Sequence, residues 1–465
     1  MGQVAVYFVC VGTLVLTLYL LRAYGLGDGA RKAWLIVMIL APSWMAVKVP
    51  LIALDARSIC ALTILIWSLG QPYISRPGNG WYMADLFVIL IIVIVTVSQI
   101  LNKSVSPLAP LDPIRAYALP YLVGRMFIYS AEDIVKCLPV ACVCLTAISV
   151  YAIFEGVSGI NPMESVIGRP WKDAEEHSAN GVVGGEELDS RRFGLKRAYV
   201  GQTHPIYFGL TLAMLLPWAI EAAVQSFNRR GPWWWRLVPL LMLAGVVTTG
   251  SRAAQICSLI VIYLMLFQAV PRLRPLMVLT VLFGGIGFYG MRDELIELLQ
   301  DYVGENKDGD AFVKIDGELY EYSGTKHRDL LEIVYKDAKE TTGWFGYGTL
   351  IRKVPRDSDM DERFVSIDNH YLVFLLQYGY VGVVAFFLLA GSVVWNLLPP
   401  IRGAVGPAAR MTAGTLGGVG GCLVAMRGVW FSPDFSGVWL FGAGFSVALA
   451  RWFRVARTPG VQSVG

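Results

Sequence analysis

Six stretches of this chain, 199–220, 237–251, 253–271, 275–291, 369–401 and 411–426, contain no aspartate, glutamate, lysine or arginine, and they flank one polar block at 292–367. A helix on a water-soluble surface needs a polar face, which uncharged runs of this length do not supply. A chain that is 55% hydrophobic and 16% charged, with a mean hydropathy of +0.54, belongs in a bilayer. A spanning helix needs about 20 mostly apolar residues. The candidates are 4–21, 33–47, 50–70, 84–101, 114–129, 133–157, 199–223, 234–249, 253–270, 274–290, 369–396, 408–426 and 435–453. Lys48, Asp55, Arg57 and Arg125 interrupt 33–70 and 114–129, so short, tilted or re-entrant elements are expected there. The predicted fold is all-α, a polytopic transmembrane bundle of 12–13 helices with one large structured outer-face loop.

Orientation follows from arginines in short loops. Arg229, Arg230 and Arg236, then Arg272 and Arg274, then Arg402 and Arg410, then Arg451, Arg454 and Arg457 fall on one side when crossings are counted. That side is predicted to be cytoplasmic. The outer face then holds 159–198, the turn 249–252, the block 292–367 and 427–434. Residues 1–21 carry no charge and follow no basic segment, which suits a retained first helix better than a cleavable signal peptide. The expected organisation is N-terminal helices (1–158), an outer loop (159–198), helices with outer arginines (199–290), an outer cap (291–367), and C-terminal helices with a basic tail (368–465). All seven cysteines lie in apolar stretches, so neither a disulfide framework nor a thiolate metal site is indicated.

The cap has its own pattern. Residues 292–303 space Leu295, Leu298, Leu299 and Tyr302 as one face of an amphipathic helix. Asp316-Gly317 between the strand-like runs 311–315 and 318–322 predicts a hairpin. A second helix is expected at 326–340, with His327 and Arg328 near its start, and the cap is expected to pack on Leu, Ile, Tyr and Trp344. The acidic run Asp357 to Glu362 lacks the glycine of a calcium loop and reads as solvated, so no metal or cofactor is expected.

Three polar stretches share the outer face. Arg197-Ala-Tyr-Val-Gly201-Gln-Thr-His204-Pro205 opens one helix, and Thr249-Gly250-Ser251-Arg252 forms a tight turn. The third runs from Arg328 through Gly343-Trp-Phe-Gly346-Tyr-Gly348 to Asp368-Asn369-His370-Tyr371-Leu372. In this order, over about 195–385, the chain resembles the O-antigen ligase and polymerase superfamily, multi-spanning bacterial glycosyltransferases that use polyprenyl-diphosphate-linked glycans.

The resemblance implies that Arg197, Arg252 and Arg328 hold the donor diphosphate. His204, Ser251, His327, Asn369 and Tyr371 would bind substrate or support those groups. A guanidinium offers a planar fork to phosphate oxygens and stays charged, so it can stabilise a diphosphate leaving group without a metal. The competing reading is that such arginines reach to lipid headgroups. For Arg252, beside Ser251 and between two uncharged helices, the functional reading is favoured. His204 is open between a substrate contact and a helix-end group bonded to backbone.

Family ligases place a histidine directly before the Asn-x-Tyr-Leu element; here that position is Asp368, with His370 two residues on. Either can act as the general base. The aspartate looks more like the polymerases of the superfamily, which implies extension of a lipid-linked oligosaccharide at the outer face of a bacterial inner membrane. The alternatives are an O-antigen ligase with a different acceptor, a lipid-linked glycan flippase, and a non-enzymatic scaffold. Expected partners are the polyprenyl-diphosphate-linked oligosaccharide donor, a glycan acceptor, membrane lipids and a chain-length regulator, with no nucleic acid.

Overall fold

The computed structural model describes residues 2–42, 44–49, 52–70, 80–102, 111–167, 191–192, 194–280, 312–315, 318–321, 327–348, 367–430 and 433–457. Among these, seven helices are long and apolar enough to cross a membrane: Val4–Leu40, Met83–Leu101, Ala131–Ser158, Pro205–Phe227, Arg252–Ala269, His370–Gly403 and Phe435–Arg457. Ala56–Leu69 and Trp233–Thr248 are shorter apolar helices. The chain is an all-α, multi-pass membrane protein, and the described strands form three antiparallel pairs.

Two of the seven helices are each a folded pair. Gly25, at φ 73° and ψ 174°, interrupts the first, and a Cβ on Gly29 would lie 2.4 Å from the Leu20 carbonyl oxygen. Residues 20 and 29 of a straight helix would be about 13 Å apart along the axis. The chain therefore reverses at Gly25. Gly379, at φ 68° and ψ −168°, interrupts the helix His370–Gly403 in the same way. The ring of His370 packs 5.3 Å from that of Phe386, so 370–378 folds back on the long segment from 380 onward. A single span over 369–396 is thus corrected to a short re-entrant helix and a separate crossing.

The stretch 33–70 also departs from two simple spans. The first helix ends at Leu40, and Ala46–Val49 pairs with Ile52–Asp55 before Ala56–Leu69 begins. Pro42 and Pro50 cannot donate helical hydrogen bonds, and Asp55 starts the next helix by accepting from the Ser58 N–H at 2.6 Å. In place of a span at 114–129, a π turn at Ile114–Ala118 leads into Leu119–Met126.

Small residues bring helices close together. A Cβ on Gly421 would lie 2.7 Å from the Cys257 sulfur and one on Gly417 2.8 Å from the Val261 Cα, so Gly406–Ala425 lies against Arg252–Ala269. Gly124 and Gly444 play the same part between Leu119–Met126 and Pro433–Arg457. Ion pairs tie the helices at the other end of the bundle: Arg31 with Asp133 at 3.0 Å, Arg125 with Asp85 at 2.7 Å, and Arg410 with Glu221 at 2.7 Å. All seven cysteines are buried and free.

Part of the cap is described. Phe312–Ile315 pairs with Glu318–Glu321 in the register Phe312 to Glu321 and Ile315 to Glu318, the hairpin expected from the sequence. The second helix is two, His327–Val334 and Lys336–Thr341. Val313, Ile315, Leu330, Leu331, Tyr335 and Ala338 bury themselves against Ile367, Leu372, Val373 and Leu376. The re-entrant helix therefore has one face on the cap and the other, His370, Phe374 and Tyr378, on the bundle. Trp344 does not join the cap core, being 71% exposed and edge-on to Tyr380. The expected helix at 292–303, the residues 281–290, the turn Asp316-Gly317, the acidic run at 357–362 and most of 159–198 lie outside the described residues.

Candidate functional site at one end of the bundle

Three helices begin at the same end of the bundle, and each is capped by a residue singled out from the sequence. His204 Nδ1 accepts from the Ile206 N–H at 3.1 Å, Ser251 Oγ from the Ala254 N–H at 3.3 Å, and Asn369 Oδ1 from the Leu372 N–H at 3.2 Å. Their shared level follows from the packing. A Cβ on Gly209 would meet Ala254 Cβ at 2.7 Å, which sets the start of Pro205–Phe227 beside the turn before Arg252–Ala269. Tyr371 Oη donates to the Leu423 carbonyl at 2.5 Å, next to Cys422, whose sulfur is 3.9 Å from that of Cys257. His204 and Ser251 thus start their helices side by side, and Asn369 starts the third at the same end of the bundle. N-termini carry unsatisfied N–H groups and a partial positive charge, so this end favours an anion.

The two described arginines of the motif play different parts. Arg197 is buried, and its Nε donates to the Thr249 carbonyl at 3.1 Å, while the Ala198 N–H donates to Thr248 at 3.0 Å. Arg252, first residue of its helix, is exposed. Between them Gly250 sits at φ 61°, where a Cβ would press on Arg192 at 3.1 Å and on Arg197 Cγ at 3.4 Å. Arg192, which no sequence motif marks, donates from Nη1 to the Gly250 carbonyl at 2.9 Å. The turn is thus braced from both sides, with the Arg252 guanidinium presented to solvent. Exposed Arg427, just past the end of Gly406–Ala425, adds a cation at this end.

Asp368 and His370 differ in access. Asp368 is partly exposed in the extended segment before the re-entrant helix. His370 is 3% exposed, its ring 5.3 Å from both Phe374 and Phe386, and Phe386 stacks on Trp439. The imidazole is thus enclosed by aromatic rings, whereas Asp368 keeps partial exposure. Tyr371 stacks on Phe387 and bonds Leu423, which makes it a tie between helices. His327 and Arg328 open the helix His327–Val334 in the cap, and their side chains lie outside the described residues.

The structure adds a group that the sequence did not single out. Glu155, fully buried near the end of Ala131–Ser158, accepts from the Val200 N–H at 2.9 Å and from Asn161 Nδ2 at 2.9 Å. Asn161 Nδ2 also donates to the Val200 carbonyl at 3.1 Å. A lone acid at the end of an apolar run was the available signal; Asn161 is six residues away, but Val200 is 45 residues away and is brought to it only by the fold. No protein-family model matches the chain, and no curated protein matches it.

Proposed function

We propose that this protein is a membrane glycosyltransferase that polymerises polyprenyl-diphosphate-linked oligosaccharide repeats at the outer face of a bacterial inner membrane. The observation that carries the reading is the convergence of exposed Arg252, partly exposed Asp368 and three capped helix N-termini at one end of the bundle. A lipid-linked substrate enters from the bilayer, so its diphosphate meets the protein where helices end. Arg252 takes the diphosphate directly, with Arg328 of the cap as second cation, and Arg197 holds the turn that presents Arg252. The helix N-termini add to the field that stabilises the leaving group.

In the reaction, Asp368 removes the proton from an acceptor sugar hydroxyl. The freed oxygen attacks the anomeric carbon, the bond from that carbon to the diphosphate oxygen breaks, and the polyprenyl diphosphate leaves with the electron pair. Attack opposite the leaving group inverts the anomeric centre. Partial exposure favours Asp368 over the enclosed His370 as base.

The test is a purified protein given one lipid-linked oligosaccharide as both donor and acceptor. A ladder of longer lipid-linked products is expected. Silence until a different acceptor is added would make it a ligase. Movement of the substrate between leaflets with its glycan unchanged would make it a flippase.

A further inference from the structure

Val200 is one of only two non-glycine residues with positive φ among the described residues, at 52°. The left-handed region is costly for a branched side chain and persists only where surroundings over-determine it. Here both sides of the residue are fixed. The Glu155 carboxylate accepts its N–H at 2.9 Å, and Asn161 Nδ2 donates to its carbonyl at 3.1 Å. Asn161 is itself held, its Oδ1 accepting from Tyr151 Oη at 2.7 Å and from the Met163 N–H at 3.0 Å. Val200 lies midway between Arg197, which braces the Thr249-Gly250 turn, and His204, which caps the next helix.

We infer that Glu155 is a positioning residue: by holding Val200 in its left-handed conformation it fixes the 197–204 segment, and through Arg197 it fixes the turn that presents Arg252. This rests on the proposed transferase reading for its consequence in activity, but not for its consequence in structure. The carboxylate is needed because it accepts from two donors, Val200 N–H and Asn161 Nδ2, on two oxygens. A glutamine in its place has one acceptor oxygen and turns an N–H₂ toward the second donor. A glycine at 200 adopts the same backbone without strain and removes the need for the clamp.

The experiment uses the full chain with a reporter thiol, Gln202→Cys, at a position 2% exposed, against a background of seven buried natural cysteines. Maleimide labelling of the reporter is expected to rise about tenfold in Glu155→Gln and to return toward the starting level in Glu155→Gln/Val200→Gly, since local strain of this kind shifts an opening equilibrium by about that factor. Transfer activity is expected to follow the same order, with the loss mainly in KM for the donor. If Glu155→Gln alone does not fold but the double variant does, the inference also holds. Unchanged labelling in Glu155→Gln, or a double variant that recovers neither folding nor protection, overturns it. A wild type without transfer activity would remove the transferase reading, and the labelling series would still decide the role of Glu155.

Discussion

The rings of His370 and Phe386 meet at 5.3 Å, although an unbroken helix would hold the two residues about 24 Å apart. Gly379 makes the contact by turning the chain back, and the loop Gly343–Gly348 locks the bend. Tyr347 N–H donates to the Leu376 carbonyl at 2.7 Å and Gly348 N–H to Gln377 at 3.0 Å. Ser98 Oγ lies 2.6 Å from the Phe345 carbonyl and 2.8 Å from that of Gln377, which joins cap, re-entrant helix and bundle at one point.

Gly379→Ala is expected to break this joint. Its Cβ would lie 2.2 Å from the Trp344 carbonyl oxygen, and its φ is left-handed, so the substitution should cost about 2 kcal/mol or more. Limited proteolysis should then cut within the cap at least tenfold faster than in wild type. An equally resistant cap would mean that the bend tolerates a side chain.

Arg252→Lys keeps the charge and loses the planar fork. If the guanidinium grips a diphosphate, transfer should fall by about 10- to 100-fold while expression and melting temperature stay near wild type, because the side chain is exposed. Retained activity would return Arg252 to a headgroup anchor. Gly250→Val should also impair transfer, but with a loss of stability, since its Cβ would press on Arg192 and Arg197.

Asp368→Asn and His370→Gln should separate chemistry from packing. Asp368→Asn is expected to abolish ladder formation with little change in stability, because a partly exposed carboxylate is replaced by its isostere. His370→Gln replaces a ring that touches Phe374 and Phe386, so it should lower stability by about 1–3 kcal/mol and reduce activity in proportion to folded protein. Normal ladders from Asp368→Asn with none from well-folded His370→Gln would transfer the role of base to His370.

Sidedness can be read with two single cysteines. Leu319→Cys, in the cap hairpin and 72% exposed, should react with a membrane-impermeant thiol reagent in cells whose outer barrier is opened. Val405→Cys, 83% exposed at the other end of the bundle between Arg402 and Arg410, should react only after the inner membrane is breached. The reverse pattern would invert the orientation drawn from the arginine clusters.

Much of the fold was legible in the sequence because lipid contact and helix burial both demand apolar residues, and long uncharged runs leave one secondary structure able to satisfy the backbone. The caps were legible too: His204, Ser251 and Asn369 stand where polar acceptors meet helix starts, and Asp316-Gly317 stands between two strands that do pair. What hydropathy does not record is direction. The reversal at Gly25 falls in the charged break between the expected spans 4–21 and 33–47, but Gly379 sits inside an apolar run where any small residue would read alike, and only a positive φ in three dimensions turns that run into a hairpin. That bend decides that His370 is enclosed while Asp368 stays partly exposed, a distinction two residues apart that composition leaves undetermined. The same holds for Glu155, which is one charge at a helix end in the sequence and the clamp on Val200 in the folded chain, because its partners arrive from Asn161 and from 45 positions away. Local patterns thus determined where helices start and which end of the bundle is polar; long-range packing decided which of those polar groups are buried and which stay exposed.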